Sequence, residues 1–111
     1  MFERNLQGAV HVIWGDVPLT QEHLEALKEI AQEIVSIGPP HAVFDFSDVP
    51  LVDSAGLETL LDIKETLTAR GGTLKLAAAP PLVNDILYAT QIDQRFEAFP
   101  RVNLAVGSFV R

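Results

Sequence analysis

The sequence predicts a single α/β domain: a mixed β-sheet with an antiparallel hairpin at its N-terminus and crossover helices between the later strands. Short runs of β-branched and aromatic residues alternate with longer segments whose apolar residues recur at helical spacing. The resulting order is β-β-α-β-α-β-α-β-α, and strand–helix–strand units of this kind form parallel sheets. The chain has 111 residues, the length of one domain, so residues 1–111 are expected to fold as a single unit.

The first two strands are expected to form the hairpin. Residues 2–6 and 9–14 are two strand-like segments joined by a turn at Gln7-Gly8. The second segment alternates between Val10, Val12 and Trp14 on one face and Ala9, His11 and Ile13 on the other.

A first helix is predicted after the hairpin. Thr20 is a suitable N-cap, and Leu19 and Leu24 are placed to form a hydrophobic staple across it. Gly38 followed by Pro39 ends the helix. Its apolar stripe consists of Leu24, Leu27, Ala31, Ile34 and Val35.

The third strand is expected to lie at the centre of the sheet. Residues 42–46 are almost entirely apolar, as is typical of a strand covered on both faces. A loop over residues 47–52 leads into a second helix, which starts after Asp53 and ends at Arg70-Gly71-Gly72. Along that helix the residues at helical spacing are Leu57, Leu60, Leu61 and Leu67.

The remaining elements continue the alternation. Residues 73–77 are predicted to be a strand, and Pro80-Pro81 opens a third helix, because proline is tolerated in a first turn. The stripe of this third helix is expected to be Leu82 or Val83, Ile86, Leu87 and Thr90. Residues 96–99 are predicted to form a last short strand. A short terminal helix is predicted from the spacing of Val102, Ala105, Val106 and Phe109.

Composition and charge exclude several functions. The chain carries 8 basic and 15 acidic residues, a net charge of −7, and its basic residues are scattered, which argues against binding to nucleic acid or to anionic membranes. The absence of cysteine excludes disulfides, thiolate catalysis and zinc–thiolate sites. Apolar runs are too short to span a bilayer, and the N-terminal residues do not resemble a signal peptide. We therefore expect a soluble cytoplasmic protein.

Ser54 is the residue of greatest functional interest. It follows Asp53 at the predicted start of the second helix, where unpaired backbone N–H groups favour a nearby negative charge. A phosphate there would change the local charge by about −1.5 to −2 at neutral pH. The pattern favours a phosphorylation switch over a catalytic nucleophile, although a residue in this position often only caps its helix. Gly56, two residues later, would let another backbone approach the helix closely.

An enzyme is the less favoured interpretation. Ser54 is not in the Gly-x-Ser-x-Gly setting of a nucleophile elbow. His11, His23 and His41 have no spacing typical of a catalytic triad, and His11 and His23 are expected to be structural. The chain also lacks a Gly-x-Gly-x-x-Gly or Walker-type loop, so no cofactor is predicted.

Acidic residues also cluster near the end of the central strand. Asp45, Asp48 and Asp53 could offer oxygen ligands to Mg²⁺, but phosphoryl transfer would also need a positioned Lys or Arg, and none is near in sequence. A phospho-aspartate receiver is excluded by spacing, because Asp16 stands alone after its strand and Lys75 lies inside a strand. No metal site is predicted.

Several segments together resemble the STAS domain, which is named after sulphate transporters and anti-sigma-factor antagonists. They are Gly15-Asp16, the helix from Thr20, Val43-Phe44-Asp45-Phe46-Ser47-Asp48-Val49, Val52-Asp53-Ser54-Ala55-Gly56-Leu57, Gly71-Gly72-Thr73-Leu74-Lys75-Leu76 and the spacing of Val102 and Ala105. The resemblance covers nearly the whole chain. Its most specific part is Asp-Ser-Ala-Gly-Leu after a strand and loop.

The resemblance implies a bacterial, non-enzymatic interaction module that regulates transcription indirectly. In stand-alone anti-sigma-factor antagonists, the serine at the position of Ser54 is phosphorylated by an anti-sigma kinase and restored by a phosphatase. The unphosphorylated form binds the kinase and frees a sigma factor. By this resemblance the partner-binding residues are Asp16, Val17, Pro18, Asp48, Val49, Asp53, Ser54, Gly56, Glu58 and Asp62.

One residue departs from the family pattern. Many members carry an acidic residue three positions after the glycine that corresponds to Gly15, and this chain has Pro18 there. A second function therefore stays open: a constitutive scaffold or accessory subunit of a lipid-transport or stressosome-like assembly, with Ser54 as a helix cap. We expect a monomer or a weak homodimer, since the exposed edge of the hairpin could pair.

Overall fold

The computed structural model describes residues 1–36 and 38–110. It contains one five-stranded sheet with the strands in sequence order, β1-β2-β3-β4-β5. The strands are β1 (Phe2–Gln7), β2 (Val10–Gly15), β3 (His41–Asp45), β4 (Thr73–Ala77) and β5 (Ala98–Phe99). The first pair is antiparallel and all others are parallel. The mixed sheet with an N-terminal hairpin and a central third strand is confirmed.

Four helices connect or follow these strands, as predicted. They are α1 (Leu24–Val35), α2 (Ser54–Thr68), α3 (Pro81–Ala89) and α4 (Val102–Gly107). Two 3₁₀ turns, Gln21–His23 and Ile92–Gln94, were not predicted from the sequence. Within the described residues, no helix is both long and apolar enough to cross a membrane.

The sheet is covered on both faces. The larger core lies under α1, α2 and α3 and contains Phe44 and Phe46, whose ring centroids are 4.7 Å apart. On the opposite face, Ala105 of α4 packs with Val43 and Ala77. This arrangement explains why β3 is apolar at almost every position, since its alternate side chains enter two different cores.

Lys75 connects α4 to the sheet. Its side chain is buried in β4, and its Nζ donates a hydrogen bond to Ser108 Oγ at 2.8 Å. The same ammonium lies 4.1 Å from the ring centroid of Phe109, a cation–π contact, and 3.6 Å from a carboxylate oxygen of Glu97. Lys75 therefore stabilises the second layer of the fold.

The last strand is shorter than the predicted segment 96–99. Only Ala98 and Phe99 pair with β4. The side chain of Phe96 is buried in the larger core instead, with Lys64 Nζ 5.0 Å from its ring centroid. Because Phe96 is aromatic and directly precedes the strand, the sequence pattern wrongly included it in the strand.

Two expectations for the helices need correction. In α3 the buried residues are Val83 and Leu87, whereas Leu82 is 55% exposed and Thr90 is also exposed.

Thr20 precedes a 3₁₀ turn rather than α1, and its hydroxyl donates to Glu22 Oε1 at 3.2 Å instead of capping a backbone amide. The extra turn moves the start of α1 to Leu24.

Stability is expected to fall as the pH decreases below about 6.5, because His11 is buried beside Arg4. Burial, and then the positive charge of Arg4, hold the pKa of His11 below its ordinary value. The unfolded chain therefore binds a proton at a higher pH than the folded chain, so the free energy of unfolding decreases as the pH falls through this range. Urea denaturation at several pH values should show this slope in the wild type and a flatter one in His11→Gln.

Candidate functional site

Ser54 is the first residue of α2, and Asp53 before it is the N-cap. The backbone of Asp53 is extended, with φ −101° and ψ 179°, and its Oδ1 accepts a hydrogen bond from the Gly56 amide at 2.8 Å. This is the usual geometry of an Asp N-cap. Because Asp53 supplies the cap, Ser54 does not serve as one. Its side chain is exposed, and among the described residues its hydroxyl makes no hydrogen bond.

Asp53 also binds a second segment of the chain. Its other oxygen, Oδ2, accepts a hydrogen bond from the amide of Gln21 at 3.2 Å. The carboxylate therefore joins the start of α2 to the 3₁₀ turn, which lies 32 residues earlier in the sequence.

Backbone contacts complete this connection. The Leu19 amide donates to the Leu51 carbonyl at 2.8 Å, and the Asp53 amide donates to the Leu19 carbonyl at 3.2 Å. A Cβ added to Gly56 would lie 2.2 Å from the Leu19 carbonyl oxygen, so the two backbones approach closely at that point. We call these five residues, Leu19, Gln21, Leu51, Asp53 and Gly56, the loop clamp.

The loop clamp fixes the surroundings of Ser54. It holds the β2–α1 loop, which contains Asp16, Val17 and Pro18, against the segment that leads into α2. In the first turn of α2 the Gly56 and Leu57 amides donate to Asp53, whereas no described residue accepts from the Ser54 or Ala55 amide. Two free backbone donors and a positive helix end therefore lie beside the Ser54 hydroxyl.

The other predicted partner-binding residues differ in exposure. Asp16, Asp48, Glu58 and Asp62 are exposed, and Val17 and Pro18 are half-buried. Val49 is fully buried, and Gly56 is buried under Leu19. The side chain of Val49 and the backbone of Gly56 are therefore not exposed for direct contact with a partner.

Two of the three histidines considered for catalysis lie at the opposite edge of the sheet from Ser54. His11 and His41 lie toward the amino ends of β2 and β3, whereas Ser54 follows the carboxyl end of β3. Asp45 Oδ1 accepts a hydrogen bond from the Ser47 amide at 2.9 Å, which shapes the loop after β3. Within the described part of the chain, no group of three or more His, Asp or Glu residues could hold a metal ion.

Sequence reasoning did not single out Gln21, Leu19 or Leu51 as parts of the site. They enter it through backbone atoms, which carry no residue-specific signal. The one indication available was Gly56, whose missing side chain is required by the approach of Leu19.

Comparisons with known proteins agree with this fold. The chain superposes on the Thermotoga maritima protein TM1081 with a TM-score of 0.90 at 21% identity, over 99% of this chain and 95% of that one. It matches the anti-sigma factor antagonist SpoIIAA in its unphosphorylated form with a TM-score of 0.83 at 17% identity, over 98% and 96%. It also matches part of the murine anion transporter Slc26a9, with a TM-score of 0.75 at 22% identity, over 87% of this chain and 17% of the transporter. At these identities the likeness shows a shared fold.

A search of curated proteins finds no match to this chain. The sequence profile of the STAS domain matches residues 7–105, which include all of β2, the loop clamp, Ser54 and most of α4. The chain belongs to the STAS domain family.

Proposed function

We propose that the protein is a phosphorylation-switched anti-sigma-factor antagonist, a non-enzymatic module that works in the cytoplasm. In its unphosphorylated form it binds an anti-sigma serine kinase, and phosphorylation of Ser54 releases that partner. A Ser/Thr phosphatase restores the binding form. The observation that carries this proposal is the exposed Ser54 hydroxyl, which has no structural task in the fold because Asp53 caps α2.

The switch has a direct physical basis. A phosphate on Ser54 adds about −1.5 to −2 charges next to two free backbone amides, which the helix end tolerates. The same phosphate would have to lose its bound water before the surface around Ser54 could pack against the kinase, and this desolvation opposes docking. Because the loop clamp holds the surrounding backbone, the modification can change the surface without unfolding the domain.

Pro18 stands where many family members have an acidic residue, so docking has to use other groups on this edge. Asp48 is exposed there and can supply negative charge to a partner, whereas the charge of Asp16, which is also exposed, is already paired. The Asp16 carboxylate lies 2.7 Å from the terminal amine of Met1.

A constitutive scaffold or accessory subunit is the second candidate function. The match to one part of the much longer transporter Slc26a9 favours it, because it shows this fold as a component of a larger membrane protein. In that case the state of Ser54 would not control partner binding.

Affinity capture with Ser54→Ala and Ser54→Asp baits separates the two functions. We expect the Ala bait to retain an ATPase-type kinase and the Asp bait to lose it, because Asp places a negative charge at the docking surface. Asn103→Asp is the matched control, since it adds one charge to an exposed position on α4, across the sheet from α2. Retention of the same transporter or assembly subunits by all three baits would instead establish the scaffold.

A further inference from the structure

The two outermost strands of the sheet differ in how well they are protected against pairing with another chain. On one side, β5 has only two residues, and a very short outer strand is a common protection. On the other side, β1 has six residues and no proline, and it pairs with β2 without a bulge from Phe2↔Gly15 to Gln7↔Val10. No described strand lies on the outer side of β1. Its outward-facing N–H and C=O groups are therefore open to another strand.

The hairpin turn determines which backbone groups of β1 face outward. Gln7 precedes a two-residue turn that begins with Gly8 at φ +64°, as in a type II′ hairpin. The residues that flank such a turn exchange both of their hydrogen bonds, and bonded and non-bonded pairs alternate along the strands from there. Every second residue of β1, counted back from Gln7, therefore bonds to β2. The N–H and C=O groups of the residues between them face outward, and these residues are Phe2, Arg4 and Leu6.

We propose that the outer side of β1 binds a second copy of this chain, with the two β1 strands antiparallel and related by a two-fold axis. The registers that let more than one outward residue of each copy form hydrogen-bonded pairs are centred on Glu3, Arg4 or Asn5. The first two place Glu3 or Arg4 directly opposite the same residue of the second copy, and such like-charge pairs destabilise a sheet. The register centred on Asn5 avoids both pairs, because it places Glu3 opposite Gln7.

The side chains of β1 fit this register on both faces of the sheet. Leu6, which is 54% exposed in the single chain, lies opposite Arg4 of the second copy. The Arg4 guanidinium donates to Glu33 Oε1 at 3.1 Å, so its aliphatic stem is held on the α1 side of the sheet, where Leu6 packs on it. On the other face, the two Asn5 side chains meet at the axis in a non-hydrogen-bonded pair, the type in which side chains lie closest. No residue of β1 belongs to the loop clamp, so this surface is separate from the proposed Ser54 switch.

Disulfide cross-linking tests the register, because the chain has no cysteine of its own. Asn5→Cys places two thiols opposite each other with their Cα atoms about 4.5 Å apart, a distance that a disulfide spans. Glu3→Cys is the matched control, since four residues of strand place its two Cα atoms roughly 14 Å apart. We expect mild oxidation to link Asn5→Cys into a dimer and to leave Glu3→Cys monomeric. Equal linking of the two variants, or faster linking of Glu3→Cys, would overturn the proposal.

Sedimentation equilibrium of the reduced, unmodified chain tests the affinity. We expect a monomer–dimer equilibrium between about 10 µM and 1 mM, because an interface of one strand pair is small. Asn5→Asp should raise the dissociation constant by about tenfold or more, since it places two carboxylates directly opposite each other. Asn103→Asp adds the same charge to an exposed position on α4, which packs against β3, β4 and β5, and should leave the constant within about twofold.

A purely monomeric wild type at about 1 mM would contradict the proposal. Equal weakening by Asn5→Asp and Asn103→Asp would do the same, because it would show that net charge and not the β1 register controls association. Asn5 is exposed in the single chain, so the Tm of dilute Asn5→Asp should equal that of the wild type. Since Ser54 is unmodified in every sample and lies outside this interface, failure here leaves the proposed switch intact.

Discussion

Gly56→Ala is expected to lower the free energy of unfolding by about 3 kcal/mol, although alanine is the better helix former. The added Cβ would lie 2.2 Å from the Leu19 carbonyl oxygen and 3.0 Å from Leu19 Cγ. A backbone oxygen cannot rotate away as a side chain can. The β2–α1 loop must therefore move off α2, and the hydrogen bonds from Leu19 to Leu51 and from Asp53 to Leu19 are strained with it.

Urea denaturation followed by circular dichroism measures this change, with Gly107→Ala as the matched control. Gly107 is also helical, but a Cβ there meets no atom within 4 Å. The control should gain up to about 1 kcal/mol from the reduced flexibility of the unfolded chain. Equal stability changes in the two variants would show that Leu19 does not press on α2, and the loop clamp would have to be abandoned.

Much of the fold could be predicted because its periodicities are local. The hairpin, the apolar β3 and the stripe of α1 each follow from neighbouring residues, and the strand over residues 73–77 has the predicted bounds. The errors and the choices that stayed open fall where a distant contact decides. Leu82 and Val83 are equally apolar neighbours, and only the position of the sheet makes Val83 the buried one. Phe96 looks like a strand residue, but it is buried in the core ahead of the short β5.

The site shows the same division between local and distant information. The sequence located Ser54 at the start of a helix and left it as a possible cap, whereas the structure has Asp53 in that role; both residue types cap helices well. Asp53 has two carboxylate oxygens, so it accepts from the Gly56 amide and also from the Gln21 amide, which is a tertiary partner. This second contact distinguishes Asp53 from Ser54. A residue-level pattern contains no information on that contact.

Asp53→Ala is expected to lower the free energy of unfolding by about 2 kcal/mol, the upper end of the usual cost of losing an N-cap. The variant loses both hydrogen bonds of the carboxylate and leaves the Gly56 and Gln21 amides without it. Gly56 is a buried residue, so water cannot easily replace the carboxylate at its amide, which raises the cost. Asp48→Ala is the control for charge, because it removes an exposed carboxylate from the same loop and should change stability by less than about 0.5 kcal/mol.

Asp53→Asn separates the two hydrogen bonds. Its amide oxygen can still cap Gly56, but its NH₂ group replaces the oxygen that accepts from Gln21, so only the tertiary connection is lost. Hydrogen exchange should then accelerate at the Gln21 amide while the Gly56 amide stays protected, and Asp53→Ala should expose both. If Gln21 exchanged at the wild-type rate in Asp53→Asn, the carboxylate would act only as a helix cap. The β2–α1 loop would then have to be held beside Ser54 by the backbone contacts of Leu19 alone.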